Sequence, residues 1–294
     1  MTNQTIDSYV EVTNKIIAAL ENNTRPWVKP WNDGMLSLQL RYNGKSYKGV
    51  NILILWLEAL EKNYNQAYWM TFKQAKALGG QIRKGEKSTA IFYSSAIKEE
   101  QEEEGTEEGE EKFKRFMKSY RVFNVEQIDN LPEKYCIKIE KSTEGGAIEK
   151  LPVLESFVSN TKAKINHGGI SAYYRQKEDF IQMPLIELFK TNNAYYTTLC
   201  HELIHWTKHQ TRLDRNLGGK RYGDQGYAME ELVAELGATF VSVELGIVPD
   251  VREDHVPYIA SWLKVLKSDK KAIFNAASLA QKAASYLLSL NNTD

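Results

Sequence analysis

Cysteine is almost absent from this chain: Cys136 and Cys200 are the only two in 294 residues. Two thiols in distant regions exclude a disulfide framework and any cysteine-based zinc finger. Long apolar runs are lacking too. The longest, Val50 to Leu57, is broken by Asn51 and falls far short of the roughly 18 residues of a membrane span. No basic start leads into an apolar core at the N-terminus, so neither a secretory signal nor a membrane partner is expected, and the cytoplasm is the expected compartment. Net charge is also missing, with 38 Lys or Arg against 38 Asp or Glu. That balance hides an uneven distribution.

A chain of this length exceeds the usual single domain, so two are expected. Val10, Val12, Ile16, Ile17 and Leu20 recur near every 3.6 residues and predict a helix over 8–20, which Pro26 and its polar neighbours stop. Residues 26–49 are loop-like. A helix over 50–62, a strand at 68–70 and a helix over 72–78 capped by Thr71 follow. Strands over 89–94 and 118–124 flank the 99–111 run, almost all Glu and Gly, which is too charged to pack and is expected to be a disordered hairpin tip. The 141–146 stretch is the best linker, dividing a domain over 1–140 from one over 147–294. The second domain reads as helices over 153–160, 194–208, 228–245, 255–266 and 270–290, with strands over 171–175 and 180–182. The expected class is α+β, with the second half mostly helical around a small sheet.

The chemistry lies in that second half. His201-Glu202-Leu203-Ile204-His205 is the zincin motif. Residues four apart share a helix face about 6 Å apart along the axis, so two imidazoles can grip one metal ion. Glu202, turned about 100° from His201, can act as the general base on a water that the metal acidifies. His209 lies about 12 Å from His201 along a straight helix, too far to share that metal. The third ligand is expected from a carboxylate of the 230–235 block, where Glu230, Glu231 and Glu235 are all candidates. Glu231 and Glu235 share a face, so one could bind the metal while the other orients a histidine. By analogy with gluzincin proteases, where the ligand precedes the supporting carboxylate by four residues, Glu231 is the expected ligand and Glu235 its support. Glu230 reads as a solvated helix-face residue. Tyr222, Tyr227, His255 and Tyr258 are candidate oxyanion donors, none of them singled out. Zinc is the expected ion, and another divalent metal such as Mn2+ suits the same donors.

Residues 1–98 carry 13 Lys or Arg against 7 Asp or Glu. Aromatic and basic residues alternate through Trp27, Lys29, Trp31, Tyr42, Lys45, Tyr47 and Lys48, with Arg83 and Lys84 further on. Rings that stack on bases beside cations that meet phosphates suit a single strand of nucleic acid. By itself this is a weak signal. The order of motifs is more specific: Pro26-Trp27, Lys29-Pro30-Trp31, Tyr47-Lys48-Gly49-Val50-Asn51, Trp69-Met70-Thr71-Phe72-Lys73-Gln74-Ala75, Arg83-Lys84-Gly85-Glu86-Lys87 and Arg121-Val122-Phe123-Asn124-Val125-Glu126-Gln127, then His201 to Thr207 and Glu230 to Ala238. Over nearly the whole chain this order resembles the ArdC-type antirestriction proteins of plasmids and related mobile elements. The resemblance implies an N-terminal domain that binds single-stranded DNA, a C-terminal zincin-like metallopeptidase domain, and protection of incoming DNA from host restriction. A host protein is the hypothetical peptide substrate. A DNA-binding shield with a structural metal, or a DNA-dependent protease acting on DNA-attached proteins, would fit the same motifs.

Overall fold

A computed structural model describes residues 3–27, 37–98, 113–135, 151–218, 224–249 and 256–291. The acidic 99–111 run, the 141–146 linker, Lys29 and Trp31 lie outside the described residues.

In chain order the N-terminal region holds α1 (Asn3–Glu21), β1 (Leu40–Arg41), α2 (Val50–Lys62), β2 (Tyr68–Met70), α3 (Phe72–Ala77), β3 (Gln81–Ile82), β4 (Thr89–Lys98), β5 (Phe113–Asn124) and β6 (Ile128–Asp129). Strand order in its main sheet is β1-β2-β5-β4, and β3 pairs with β6 separately. Thr71 starts α3 by the expected chemistry: its hydroxyl accepts from the Gln74 N–H while the Gln74 side chain accepts from the Thr71 N–H. The two long strands extend further than the sequence pattern suggested, pairing antiparallel from Thr89↔Val122 to Lys98↔Phe113. α2 docks on this sheet through Asn51, whose side chain donates to the Phe92 carbonyl at 2.6 Å and accepts from the Phe92 N–H at 2.8 Å. That is why a polar residue interrupts the longest apolar run.

The C-terminal region holds α4 (Pro152–Asn160), β7 (Lys164–His167), β8 (Tyr173–Arg175), β9 (Phe180–Met183), α5 (Asn192–Trp206), α6 (Gln225–Glu244), α7 (Val256–Ser268) and α8 (Ala272–Ser289). β7 was not anticipated, because Lys164-Ile165-Asn166-His167 lacks an apolar alternation. Its pairing parallel to β9 creates the strand. In the order β7-β9-β8, β8 is an edge strand lying antiparallel to β9. The class is α+β with two domains, as the composition of elements predicts.

The two regions share one core. Tyr9 of α1 meets Phe274 of α8 at 4.5 Å between ring centroids, Phe92 meets the same ring at 5.7 Å, and Trp56 of α2 meets Phe240 of α6 at 6.2 Å. The Thr13 hydroxyl donates to the Lys270 carbonyl, and the Gly49 N–H donates to Gln281. Gly49 has φ +60°, a conformation that L side chains rarely adopt, at the entry to α2. α5 and α6 approach closely at Gly237, where an added Cβ would lie 2.8 Å from Cδ1 of Ile204. Glycine at that crossing lets the two site-bearing helices come together.

Candidate metal centre

Thr191 caps the start of α5 by accepting from the Ala194 N–H, and the helix then buries every residue from Tyr195 to Trp206. His201 and His205 project from successive turns with ring centroids 4.7 Å apart. Their Nε2 atoms face each other at 3.1 Å. α6 brings Glu231 against both: Oε2 lies 3.5 Å from His201 Nε2, and Oε1 lies 3.5 Å from His205 Nε2. These three form the one cluster among the described residues whose donor atoms could converge on an ion. Imidazole nitrogens about 2.0–2.1 Å from a four-coordinate zinc sit about 3.3 Å apart, so the spacing and the donor types fit a divalent metal.

A carboxylate lies behind each imidazole. The His205 Nδ1–H donates to Glu230 at 3.0 Å. Arg215, in the loop after α5, grips both oxygens of Glu230 at 2.8 and 2.9 Å and also donates to the Ile204 carbonyl and the Thr207 hydroxyl. Behind His201, Glu235 Oε2 lies 3.9 Å from Nδ1. Glu235 Oε1 accepts from Arg25 at 3.3 Å and from the Trp27 indole N–H at 3.4 Å. Glu230 is therefore not a solvated face residue, as the helix pattern suggested. It is buried, and the second-sphere support expected from Glu235 alone is divided between two glutamates, one for each histidine. No local signal marks Glu230, because its partner Arg215 lies 15 residues away and outside α6.

Electrostatics follow from this packing. Burial opposes charge on Glu230, but hydrogen bonds from Arg215 and His205 outweigh it and hold its pKa down at about 2. Glu231 is also depressed, by His205 and His201 against the same burial. Burial would lower His205, yet Glu231 and Glu230 raise it to about 9. Cys200, next to the site in sequence, is buried with its thiol pushed up to about 12, which leaves it without thiolate character.

The cluster opens onto a cleft of about 210 Å³ lined by Ala172, Tyr173 and Tyr174 near and on β8, by Glu202 and Lys208, and by Tyr227 and Tyr258. The hydroxyls of Tyr227 and Tyr258 lie 3.1 Å apart. Burial and the hydrogen bond to Tyr258 raise the Tyr227 pKa far above its ordinary value. Tyr222 and His255 lie outside the described residues. His209 bonds Thr211 at 2.8 Å, away from the cluster. Arg212 anchors the β8–β9 hairpin over the end of α5, stacking 3.8 Å above the Trp206 ring and donating to Asp179 at 3.0 Å.

The nucleic-acid candidates divide. Trp27 and Tyr47 are buried and are corrected to core residues, since their faces cannot stack on a base. Trp27 packs on Trp262 at 6.1 Å, and the Tyr47 hydroxyl points at the Trp69 carbonyl. Arg83 is exposed but already paired with Glu86 and Asp129 at 3.2 and 3.3 Å. Tyr42, Lys45, Lys48 and Lys84 are exposed. The backbone carbonyl of Tyr42 accepts from the buried Tyr135 hydroxyl at 2.9 Å.

Residues 6–123 match the family model for the N-terminal domain of anti-restriction factor ArdC, and residues 152–279 match that for a zincin-like metallopeptidase. The metal-free crystal structure of the ArdC antirestriction protein from plasmid R388 superposes with a TM-score of 0.82 at 43% identity, covering 97% of this chain and 98% of that one. The chain belongs to the ArdC antirestriction family. A Mn(II)-bound structure of R388 ArdC is similar to this ArdC-family protein at the same TM-score, 0.82, and 40% identity. Protein y4eC of Sinorhizobium fredii is 37% identical over 287 residues, 91% of its length. A TraC DNA primase of Escherichia coli is 36% identical over 293 residues, but the ArdC-family chain spans only 19% of that protein.

Proposed function

We propose that this antirestriction protein binds single-stranded DNA through its N-terminal region and carries a divalent-metal peptidase site in its C-terminal region. The observation that carries the second half is the donor set itself: two imidazoles and one carboxylate converge, and each imidazole has its own buried carboxylate behind it. His201 and His205 would hold the ion through Nε2, and Glu231 through a carboxylate oxygen. Two imidazoles suit zinc, and the carboxylate lets the same set take manganese, the ion bound in the R388 relative. A bound ion would supply Lewis acidity, polarising a peptide carbonyl and lowering the pKa of water.

The chain's own residues do the rest. β8 is an edge strand bordering the cleft, so an extended peptide can add to it through backbone hydrogen bonds. Glu202 takes a proton from the attacking water and returns it to the departing amine. Tyr227 and Tyr258, whose hydroxyls lie 3.1 Å apart beside the cleft, donate to the developing oxyanion. The substrate class is protein met on or near DNA, with a host restriction component the leading candidate.

For DNA, Tyr42 offers an exposed ring and Lys45, Lys48 and Lys84 offer cations. A strongly salt-dependent affinity for oligonucleotides is expected, and a flat response would remove the phosphate contacts. The deciding experiment pairs Glu202→Gln with wild type in a restriction-protection assay and in a peptide-cleavage assay with and without single-stranded oligonucleotide. Loss of cleavage and of protection together is the expected result. Undiminished protection by Glu202→Gln would take proteolysis out of the function.

A further inference from the structure

Each histidine of the centre has a buried carboxylate behind it, hydrogen-bonded at 3.0 Å for His205 and in charge contact at 3.9 Å for His201, but the supports come from different parts of the chain. Each follows the pattern imidazole, carboxylate, arginine. For His205 the carboxylate is Glu230 and the arginine is Arg215, both from the C-terminal region. For His201 the carboxylate is Glu235, but the arginine is Arg25, 210 residues away, and Trp27 adds a second donor to the same oxygen. Arg25 and Trp27 follow α1 and belong to the N-terminal region. We propose that they are positioning residues of the metal centre, so that the N-terminal region completes the site rather than merely packing beside it. This rests on the reading that His201, His205 and Glu231 hold a metal.

The argument is one of hydrogen-bond capacity. Glu235 is buried, and a buried carboxylate needs a countercharge and its lone pairs filled. Arg25, itself buried, supplies the charge, and both donors converge on Oε1. That leaves Oε2 as the oxygen facing His201 Nδ1, at 3.9 Å. At that distance the contact is electrostatic rather than a hydrogen bond, and a carboxylate facing Nδ1 favours the tautomer that keeps the proton there and leaves the Nε2 lone pair for a metal. Without Arg25 and Trp27, Glu235 has no reason to keep that orientation. A second route links the same segment to Glu231. Trp27 meets Trp262 edge-on, Trp262 stacks on Tyr258 at 6.3 Å, and Tyr258 bonds Tyr227, which lines the cleft together with Glu231. Trp27 thus stands at the head of both lines of contact into the centre.

The test is Mn2+ titration of the full chain, by calorimetry, alongside thermal unfolding of the metal-free protein. Glu235→Gln and Arg25→Gln should each weaken Mn2+ binding by roughly 10–100-fold, the range for lost outer-sphere partners. Trp27→Phe keeps the ring against Trp262 and removes only the donor; it should weaken binding roughly three- to tenfold at little cost to the melting temperature. Arg25→Lys should restore part of the loss, because it restores the charge but not the fork. If Arg25→Gln fails to fold, Trp27→Phe and Arg25→Lys still decide the matter. Unchanged Mn2+ affinity in folded Trp27→Phe and Arg25→Lys would overturn the proposal and leave these residues a purely structural role. Absence of Mn2+ binding in wild type would instead refute the metal reading beneath it.

Discussion

Replacing Gly237 by alanine probes how closely the two site-bearing helices must pack. Alanine in a helix interior is favoured over glycine by about 1 kcal/mol. Opposing that gain, the new methyl would lie 2.8, 3.0 and 3.1 Å from Cδ1, Cγ1 and Cγ2 of Ile204. Carbon atoms prefer about 3.5–4.0 Å, so α5 and α6 must separate or Ile204 must leave its rotamer. Overpacking of this kind costs about 1–3 kcal/mol, which puts the net destabilisation at about 0–2 kcal/mol. The site should suffer more than the fold. Ile204 adjoins His205 on α5, and Glu231 lies one and two-thirds turns before Gly237 on α6, so separating the helices draws the carboxylate from both imidazoles. Mn2+ affinity should fall roughly tenfold, as for other losses of ligand placement. Urea unfolding of the metal-free protein and metal titration measure the two effects. Ile204→Val, which removes the nearest atom, should cost less in the Gly237→Ala background than alone, with a coupling of about 1 kcal/mol. A Gly237→Ala protein about 1 kcal/mol more stable than wild type with unchanged metal affinity would refute the reasoning, because propensity alone would then be acting.

Three further outcomes follow from the same geometry. Glu230, depressed to about 2 from 4.5, stabilises the metal-free fold fully above its ordinary value and loses that contribution as pH falls towards 2; denaturation of wild type and Glu230→Gln should therefore show a gap at pH 6 that narrows at pH 3. A gap that widened on acidification would reverse the assigned sign. Arg212→Ala should raise hydrogen exchange across 173–182 by freeing the β8–β9 hairpin from α5, while metal affinity stays as it was; equal exchange would mean the hairpin is held elsewhere. Tyr42→Ala should weaken oligonucleotide binding by about 1–3 kcal/mol if its ring stacks on a base, whereas Tyr47→Phe, altering only a buried hydroxyl, should leave binding intact.

Much of the local structure could be read from the residues. The helix over 50–62 and the strand at 68–70 fall where predicted, and Thr71 caps α3 as its side chain suggests, because these signals act within one turn of chain. The pair His201 and His205 is legible for the same reason: its spacing is a property of a single helix. What escaped depends on contacts between distant segments. The 15 residues between Arg215 and Glu230, and the 210 between Arg25 and Glu235, leave no periodic trace. Trp27 and Tyr47 looked like stacking residues because their composition is that of a nucleic-acid surface. Their burial follows from how the N-terminal region lies on α7, α8 and the first sheet, which no single window of sequence contains. β7 was missed because its strand character comes from pairing with β9 rather than from its own side chains.

The central claim is that His201, His205 and Glu231 hold one divalent ion. Calorimetric titration of the metal-stripped chain with Mn2+ and with Zn2+, in wild type and Glu231→Gln, tests it most directly. One ion per chain in wild type, and an affinity weakened by more than about a hundredfold in Glu231→Gln, beyond the loss of an outer-sphere partner, is the predicted result. Equal affinity and stoichiometry in the two proteins would contradict it.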